Sequence, residues 1–220
     1  MKIYHLPDTP KSLVFDIDLT LYDSPAYHTA QRRLLVERLG AHLDASVQEV
    51  EAKLRVIRDD FARQNAGRQM SMGNAFRDLG VSLSTSNRWR EELFKPEDYL
   101  KPDHDLDRTL ATLSATFSIA AVTNNSTSIG ERTLTALGVR QHFMPVLGLD
   151  RFGASKPTMI PFQMVSTQHG VLLSEMISIG DRMAVDIELP VAHGMGGILV
   201  DGVKDVYRLT DVLLYRLGRC

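Results

Sequence analysis

Short apolar runs, each bounded by polar residues, alternate with helical patterns along most of this chain. The runs are Ser12-Leu13-Val14-Phe15, Phe117 to Val122, Val146 to Leu149, Met176 to Ile179 and Gly197 to Val200. Runs this short and this apolar read as strands buried on both faces. Between them, Ser128 to Leu137 ends at Gly138, a helix stop, and Thr158 to Gln168 follows Pro157. Met183 to Ala192 and Asp205 to Leu217 complete the helical set. Strand and helix alternating in this way predict an α/β fold, a parallel sheet covered by helices on both faces.

Residues from about 24 to 100 break that rhythm with helical patterns alone. Ser24-Pro25 is a helix cap followed by proline at the first helical position, and Ser46-Val47-Gln48-Glu49 is a capping box. Behind it Val47, Val50, Leu54, Ile57 and Phe61 fall at helical spacing on one face. Gly67 and Gly73 bracket a polar loop, shorter helices are expected over Met72 to Leu79 and Ser86 to Phe94, and Lys95-Pro96 and Lys101-Pro102 mark the return to the core. The division expected is a catalytic core of residues 1–22 and 101–220 with a helical insertion, residues 23–100, suited to act as a lid.

The strand ends carry the chemistry, since ligands of open parallel sheets lie outside the carboxyl ends of the strands. The first run ends in Asp16 and Asp18, whose side chains share a face of an extended backbone. The second ends in Thr123-Asn124-Asn125, Lys156-Pro157 precedes a helix, and Gly180-Asp181 ends the fourth with Asp186 beyond it. Carboxylates grouped this way make a hard, oxygen-rich site that suits Mg²⁺ better than zinc. Beside such a cation Asp16 can attack phosphorus and form an aspartyl-phosphate. Asp18 can protonate the leaving oxygen and then deprotonate the water that clears the intermediate. Thr123, with Asn124 and the amides after it, is placed to bind a phosphoryl oxygen, and Lys156 to offset developing charge. Asp16, Asp18, Asp181 and Asp186 are the expected metal-site residues.

These segments resemble a known family. Phe15-Asp16-Ile17-Asp18-Leu19-Thr20-Leu21-Tyr22, Val122-Thr123-Asn124, Lys156-Pro157 and Gly180-Asp181-Arg182-Met183-Ala184-Val185-Asp186 are similar to the four motifs of the haloacid dehalogenase superfamily. The resemblance implies a three-layer Rossmann-like core, Mg²⁺, an aspartyl-phosphate intermediate and a helical cap that closes over substrate. It also implies that the backbone carbonyl of Asp18 binds the metal. A narrower likeness, through Leu19-Thr20-Leu21-Tyr22 and Glu97-Asp98-Tyr99-Leu100-Lys101-Pro102-Asp103, is to the pyrimidine 5'-nucleotidase-like branch, which implies a nucleoside monophosphate as substrate. Leu19 stands where that branch usually has asparagine, and Asn125 and Ser126 stand where small apolar residues or glycine are common.

The remaining features narrow the function without adding chemistry. A net charge of -2 with no basic block favours neither nucleic acid nor an anionic membrane, so an anionic small molecule must be held locally. The single cysteine is Cys220, the segment Met1 to Pro10 lacks the apolar core of a signal peptide, and no apolar run reaches membrane-spanning length; the expectation is a cytoplasmic protein. Arg68, Gln69, Asn74 and Arg77 lie in the polar part of the insertion, either as a substrate-selecting loop, with Arg68 as substrate ligand, or as a solvated surface. Trp89 and Phe94 read as core of the insertion, Met176, Met183 and Met195 as packing, Arg182 as a partner of neighbouring carboxylates, and the histidines carry no role. Four functions compete with a phosphatase. A sugar phosphomutase shares both aspartates. A dehalogenase has no leaving oxygen to protonate, which leaves Asp18 without a purpose. A phosphonate hydrolase needs a lysine in the insertion, where Lys53 lies on a charged helical stretch. A non-enzymatic binding protein predicts a lost motif residue, and each motif residue is present.

Overall fold

The structure is a computed structural model that describes residues 1–67 and 69–216. Arg68 and Cys220 lie outside the described residues. The chain divides into two compact units, one of residues 1–24 with 96–220 and one of residues 25–95.

The first unit is built on a six-stranded sheet. Its strands are β1 (Lys2–His5), β2 (Ser12–Phe15), β3 (Ser118–Val122), β4 (Val146–Leu147), β5 (Met176–Gly180) and β6 (Gly196–Leu199). Their spatial order is β1-β6-β5-β2-β3-β4, and every pairing is parallel except that of β1 with β6. Parallel pairing needs a crossover between consecutive strands, which is where the helical patterns lie. All four residues of β2 and all five of β5 are buried, so these strands show no polar alternation. Period two then sorts their neighbours: Val14, Ala120 and Val122 point to one face, where Phe162 and Val165 of a covering helix and Leu149, Phe152 and Met195 close a single core cluster.

The helices of this unit are α5 (His104–Ser114), α6 (Thr127–Ala136), α7 (Leu149–Phe152), α8 (Ile160–His169), α9 (Glu188–Ala192), α10 (Val203–Val206) and α11 (Leu209–Arg216), and those of the second unit are α1 (Pro25–Leu43), α2 (Val47–Gln64), α3 (Met72–Asp78) and α4 (Leu83–Leu93). Three elements depart from the sequence expectation. β1 is an antiparallel edge strand whose residues are largely exposed, so Lys-Ile-Tyr-His carries no apolar run to announce it. Leu149 ends no strand; it opens α7, with Gly148 as the residue before it. α5 was not expected, although Asp103 caps it through two backbone N–H groups and Leu106, Leu110 and Leu113 are buried at helical spacing.

In the helical unit the Ser46–Glu49 capping box is formed, with Glu49 accepting the Ser46 N–H at 2.8 Å. The expected face of α2 is only partly used: Val50 and Leu54 are buried, Ile57 and Phe61 half-buried and Val47 exposed. Trp89 meets Phe76 edge-on at 6.2 Å and His42 at 5.3 Å, and Tyr27 meets Phe94 at 6.4 Å. Trp89 and Phe94 are therefore core residues of this unit. No helix among the described residues is long and apolar enough to cross a membrane.

Candidate active site

The chain runs from β2 out to β3 and β4, then returns to the other side of β2 through β5 and β6. The strand order reverses between β2 and β5, and Asp16 and Asp181 follow these two strands directly. That switch point is where an open α/β sheet leaves a crevice.

Asp16 and Lys156 form the buried centre. The Lys156 ammonium donates to Asp16 Oδ1 at 2.8 Å, Asp186 Oδ1 at 2.7 Å and the Val122 carbonyl at 2.8 Å, which uses all three of its protons. Burial alone favours a neutral lysine, but the charges of Asp16 and Asp186 outweigh it and hold the pKa above the ordinary lysine value. The second Asp16 oxygen, Oδ2, is buried and accepts no hydrogen bond among the described residues. Asp16 is therefore fixed by hydrogen bonding at one oxygen, while the other lies 3.9 Å from the Arg182 guanidinium and holds no hydrogen bond among the described residues.

Asp186 reaches this centre through local backbone features. Residues Met183–Ile187 form a π-helical turn in which the Glu188 N–H reaches the Met183 carbonyl, five residues back. The carboxylate lies against the backbone of Gly180, where an added Cβ would meet Asp186 Cβ at 2.5 Å. Only glycine permits that approach. The Arg182 N–H donates to Asp186 Oδ2 at 3.2 Å, and the Ser178 hydroxyl to the Asp186 carbonyl at 2.6 Å.

Asp16, Asp181 and Asp186 each present an oxygen, and these oxygens lie within 4.8 Å of one another. This all-carboxylate set fits a hard divalent cation such as Mg²⁺. The Arg182 guanidinium already stands beside the cluster, 3.9 Å from Asp16, 3.8 Å from Asp181 and 3.9 Å from Asp186. Burial pushes the Asp181 carboxyl up to about 7, with the Asp16 charge adding to it.

A pH dependence follows from that shift. An acid raised in the folded state stabilises the fold below its unfolded pKa, and this stability is lost as pH rises through the folded value. Relative to Asp181→Asn, the metal-free protein is expected to lose on the order of 1 kcal/mol or more between about pH 5 and pH 8. Chemical denaturation of both proteins at a series of pH values measures the difference. Added Mg²⁺ is expected to reverse the loss, because metal binding requires the ionised carboxylates; a pH-independent difference would contradict the reading.

Asp18 stands in a different environment from Asp16. Its Oδ1 accepts from the Tyr22 hydroxyl at 2.7 Å, and its Oδ2 from the Asn125 side chain at 2.8 Å and the Thr123 hydroxyl at 3.2 Å. Its carboxylate is not part of the cluster of Asp16, Asp181 and Asp186; the metal contact that the resemblance implies for Asp18 is through its backbone carbonyl. The Thr123 hydroxyl, expected on a phosphoryl oxygen, donates here to Asp18 and accepts the Asn125 N–H at 3.0 Å. Asn124 accepts the Lys156 backbone N–H at 2.7 Å and so anchors the loop that carries the lysine, while its buried Nδ2 has no partner among the described residues. Arg68, the fourth expected substrate ligand, lies outside the described residues.

Three contributing residues escaped the sequence reading: Tyr22 and Asn125 on Asp18, and Thr20, whose hydroxyl donates to Asp181 Oδ1 at 3.4 Å. The turn that brings Tyr22 back to Asp18 passes through Leu19 at φ 60°. Asparagine tolerates this left-handed conformation better than leucine, for which it costs about 1 kcal/mol. The asparagine usual at this position in the nucleotidase-like branch thus has a backbone reason.

Comparison with known proteins agrees with this geometry. A family model described as haloacid dehalogenase-like hydrolase matches residues 13–200. The chain belongs to this family. Phosphoglycolate phosphatase of Vibrio parahaemolyticus is 28% identical over 78% of this chain and 75% of its own length. Glyceraldehyde 3-phosphate phosphatase of Methanopyrus kandleri is 26% identical over 84% of this chain and 81% of its own length. A solved HAD phosphatase from Thermococcus onnurineus superposes with a TM-score of 0.63 at 20% identity, over 92% of this chain and 97% of that one. The solved structure shares the fold: a Rossmann-like core with a helical cap.

Proposed function

We propose that this haloacid dehalogenase-like hydrolase is a Mg²⁺-dependent phosphatase that cleaves a small phosphomonoester through an aspartyl-phosphate on Asp16. The observation that carries the reading is the unlike placement of two carboxylates from one strand end. Asp16 is buried, held by Lys156 at Oδ1 and without a hydrogen bond at Oδ2 among the described residues. Asp18 is held apart by three neutral donors. The first arrangement leaves an oxygen able to attack phosphorus, and the second sets a carboxyl apart from the metal cluster, where it can exchange a proton.

Asp16 Oδ2 attacks phosphorus while the bond to the leaving oxygen breaks, and that oxygen takes its proton from Asp18. Asp18 then removes a proton from water, whose oxygen attacks phosphorus and breaks the bond to Asp16, releasing inorganic phosphate. Lys156 holds Asp16 Oδ1 through both steps and keeps positive charge beside the phosphoryl group. Asp16, Asp181 and Asp186, with the Asp18 carbonyl, would hold Mg²⁺, which supplies positive charge that lets carboxylate and phosphate approach each other.

The relatives' names support a small aliphatic phosphate, such as phosphoglycolate or glyceraldehyde 3-phosphate, ahead of the nucleoside monophosphate that the narrower sequence likeness suggests. The dehalogenase reading leaves Asp18 idle despite its three hydrogen bonds. The test is phosphate release from a panel of aliphatic phosphates, sugar phosphates and nucleoside monophosphates. The expected result is release that EDTA abolishes and Mg²⁺ restores, fastest on the short aliphatic esters. Metal-independent turnover, or isomerised sugar phosphate in place of free phosphate, would contradict it.

A further inference from the structure

We infer that Asn125 and Tyr22 are positioning residues that set Asp18 for proton transfer to the leaving group, and that Asn125 decides which leaving groups this enzyme handles well. The inference rests on the acid–base role given to Asp18 above.

The Asp18 carboxylate is reached from two separate pieces of chain. Tyr22 lies four residues downstream, across the turn through Leu19, and donates to Oδ1. Asn125 follows β3 and donates to Oδ2, beside the Thr123 hydroxyl. Two donors on Oδ2 occupy both of its in-plane lone-pair directions. Among the described residues Oδ1 has one hydrogen-bond partner, the neutral Tyr22, whose hydroxyl can accept as readily as donate. The hydrogen bonds therefore leave Oδ1 as the oxygen that can carry a proton and give it up, and keep Oδ2 as an acceptor throughout.

The backbone of Asn125 sits on a rigid seat that aims its side chain. The backbone N–H donates to Thr123 Oγ1 at 3.0 Å, the backbone carbonyl accepts the Leu149 N–H at 2.9 Å, and the next residue, Ser126, caps α6. Asn125 is 9% exposed and Tyr22 is 3% exposed. An alanine at 125 removes one of the two donors that fix Oδ2 and lets the Asp18 carboxylate rotate. A small apolar residue there could not supply the bond.

Protonation of the leaving oxygen matters in proportion to how poorly that oxygen bears charge. p-Nitrophenolate departs without a proton, whereas an alkoxide such as that from phosphoglycolate does not. The experiment measures kcat/KM of the Mg²⁺-loaded enzyme on p-nitrophenyl phosphate, phenyl phosphate and phosphoglycolate for wild type, Asp18→Asn, Asn125→Ala, Asn125→Asp and Tyr22→Phe. General acid catalysis contributes about 10²–10⁴-fold, so Asn125→Ala is expected to lose about tenfold more on phosphoglycolate than on p-nitrophenyl phosphate. The isosteric Asn125→Asp, which turns an acceptor toward Asp18, is expected to skew further in the same sense, and Tyr22→Phe to skew less. If Asp18→Asn shows the skew while the Asn125 and Tyr22 variants lose equally on every ester or lose nothing, the inference is overturned and the role of Asp18 stands. If Asp18→Asn itself loses equally on every ester, that role falls and the inference with it. A uniform loss is what a merely structural contribution of Asn125 would give, and Tyr22→Phe supplies the same comparison should Asn125→Ala fold poorly.

Discussion

Asp16→Asn is expected to lower phosphate-ester turnover by on the order of 10⁴-fold or more, because a carboxamide oxygen does not displace a leaving group from phosphorus. The substitution keeps the shape of the side chain and an oxygen that accepts from Lys156. It also removes one of the two carboxylates that crowd Asp181, whose carboxyl is pushed up first by burial and next by the Asp16 charge. The metal-free variant is therefore expected to melt at or above the wild-type temperature, so inactivity and misfolding are separable in one pair of measurements. Thermal denaturation beside steady-state assays checks both. Retained turnover would remove Asp16 from the mechanism, and a lowered melting temperature would mean that its charge is needed to hold Lys156.

Lys156→Met carries the largest expected cost in stability. The lysine side chain is 2% exposed, and its three protons satisfy two carboxylates and a carbonyl. Methionine fills much the same space but leaves Asp16 and Asp186 as buried charges whose remaining cation is the half-exposed Arg182, 3.9 Å from each. Breaking a buried pair in this way costs about 3–5 kcal/mol. Mg²⁺ is expected to recover part of that loss, since it neutralises the same carboxylates. Urea denaturation with and without Mg²⁺ measures both quantities. Activity is expected to fall by about 10²–10³-fold even in the Mg²⁺-loaded variant, because the charge beside the transferring phosphoryl group is gone. A destabilisation well under 1 kcal/mol in metal-free protein would contradict the account of Lys156 as the buried counter-ion of the site.

Much of this fold is legible because it is written in periodicity. β2, β3 and β5 are buried on both faces, so their apolar runs stand out, and the capping box at Ser46 marks a helix start without any help from packing. β1 was not legible: an exposed antiparallel edge strand needs no apolar face, and its partner β6 lies almost the whole chain away. α5 carries a legible cap in Asp103, yet the Lys101-Pro102 before it reads as the return from the insertion and masks the helix start.

The site divides in the same way. Residues whose chemistry is carried by their own side chain, Asp16, Asp181, Asp186 and Lys156, are recoverable from their places at strand ends, and the structure brings them together. Asn125 and Tyr22 act through Asp18. Their partnership depends on the left-handed turn at Leu19 and on the seat that Thr123 and Leu149 give Asn125, and neither is a property of residue type or spacing. Thr123 and Asn124, expected as phosphate ligands from their place after β3, also hold the site together, which spacing does not reveal: the Thr123 hydroxyl is bonded to Asp18 and the Asn124 side-chain carbonyl holds the Lys156 backbone N–H.

The central claim is that phosphorus passes through Asp16, and it can be tested by trapping that state. Asp18→Asn lacks the base that clears the intermediate, and p-nitrophenyl phosphate needs no acid to form it. With Mg²⁺ present, this variant is expected to release a burst of about one equivalent of p-nitrophenolate per enzyme, then slow sharply. Mass spectrometry of the acid-quenched protein is expected to find the phosphoryl group on the peptide containing Asp16. A burst with the phosphoryl group on another residue, or release without burst or adduct, would contradict the account.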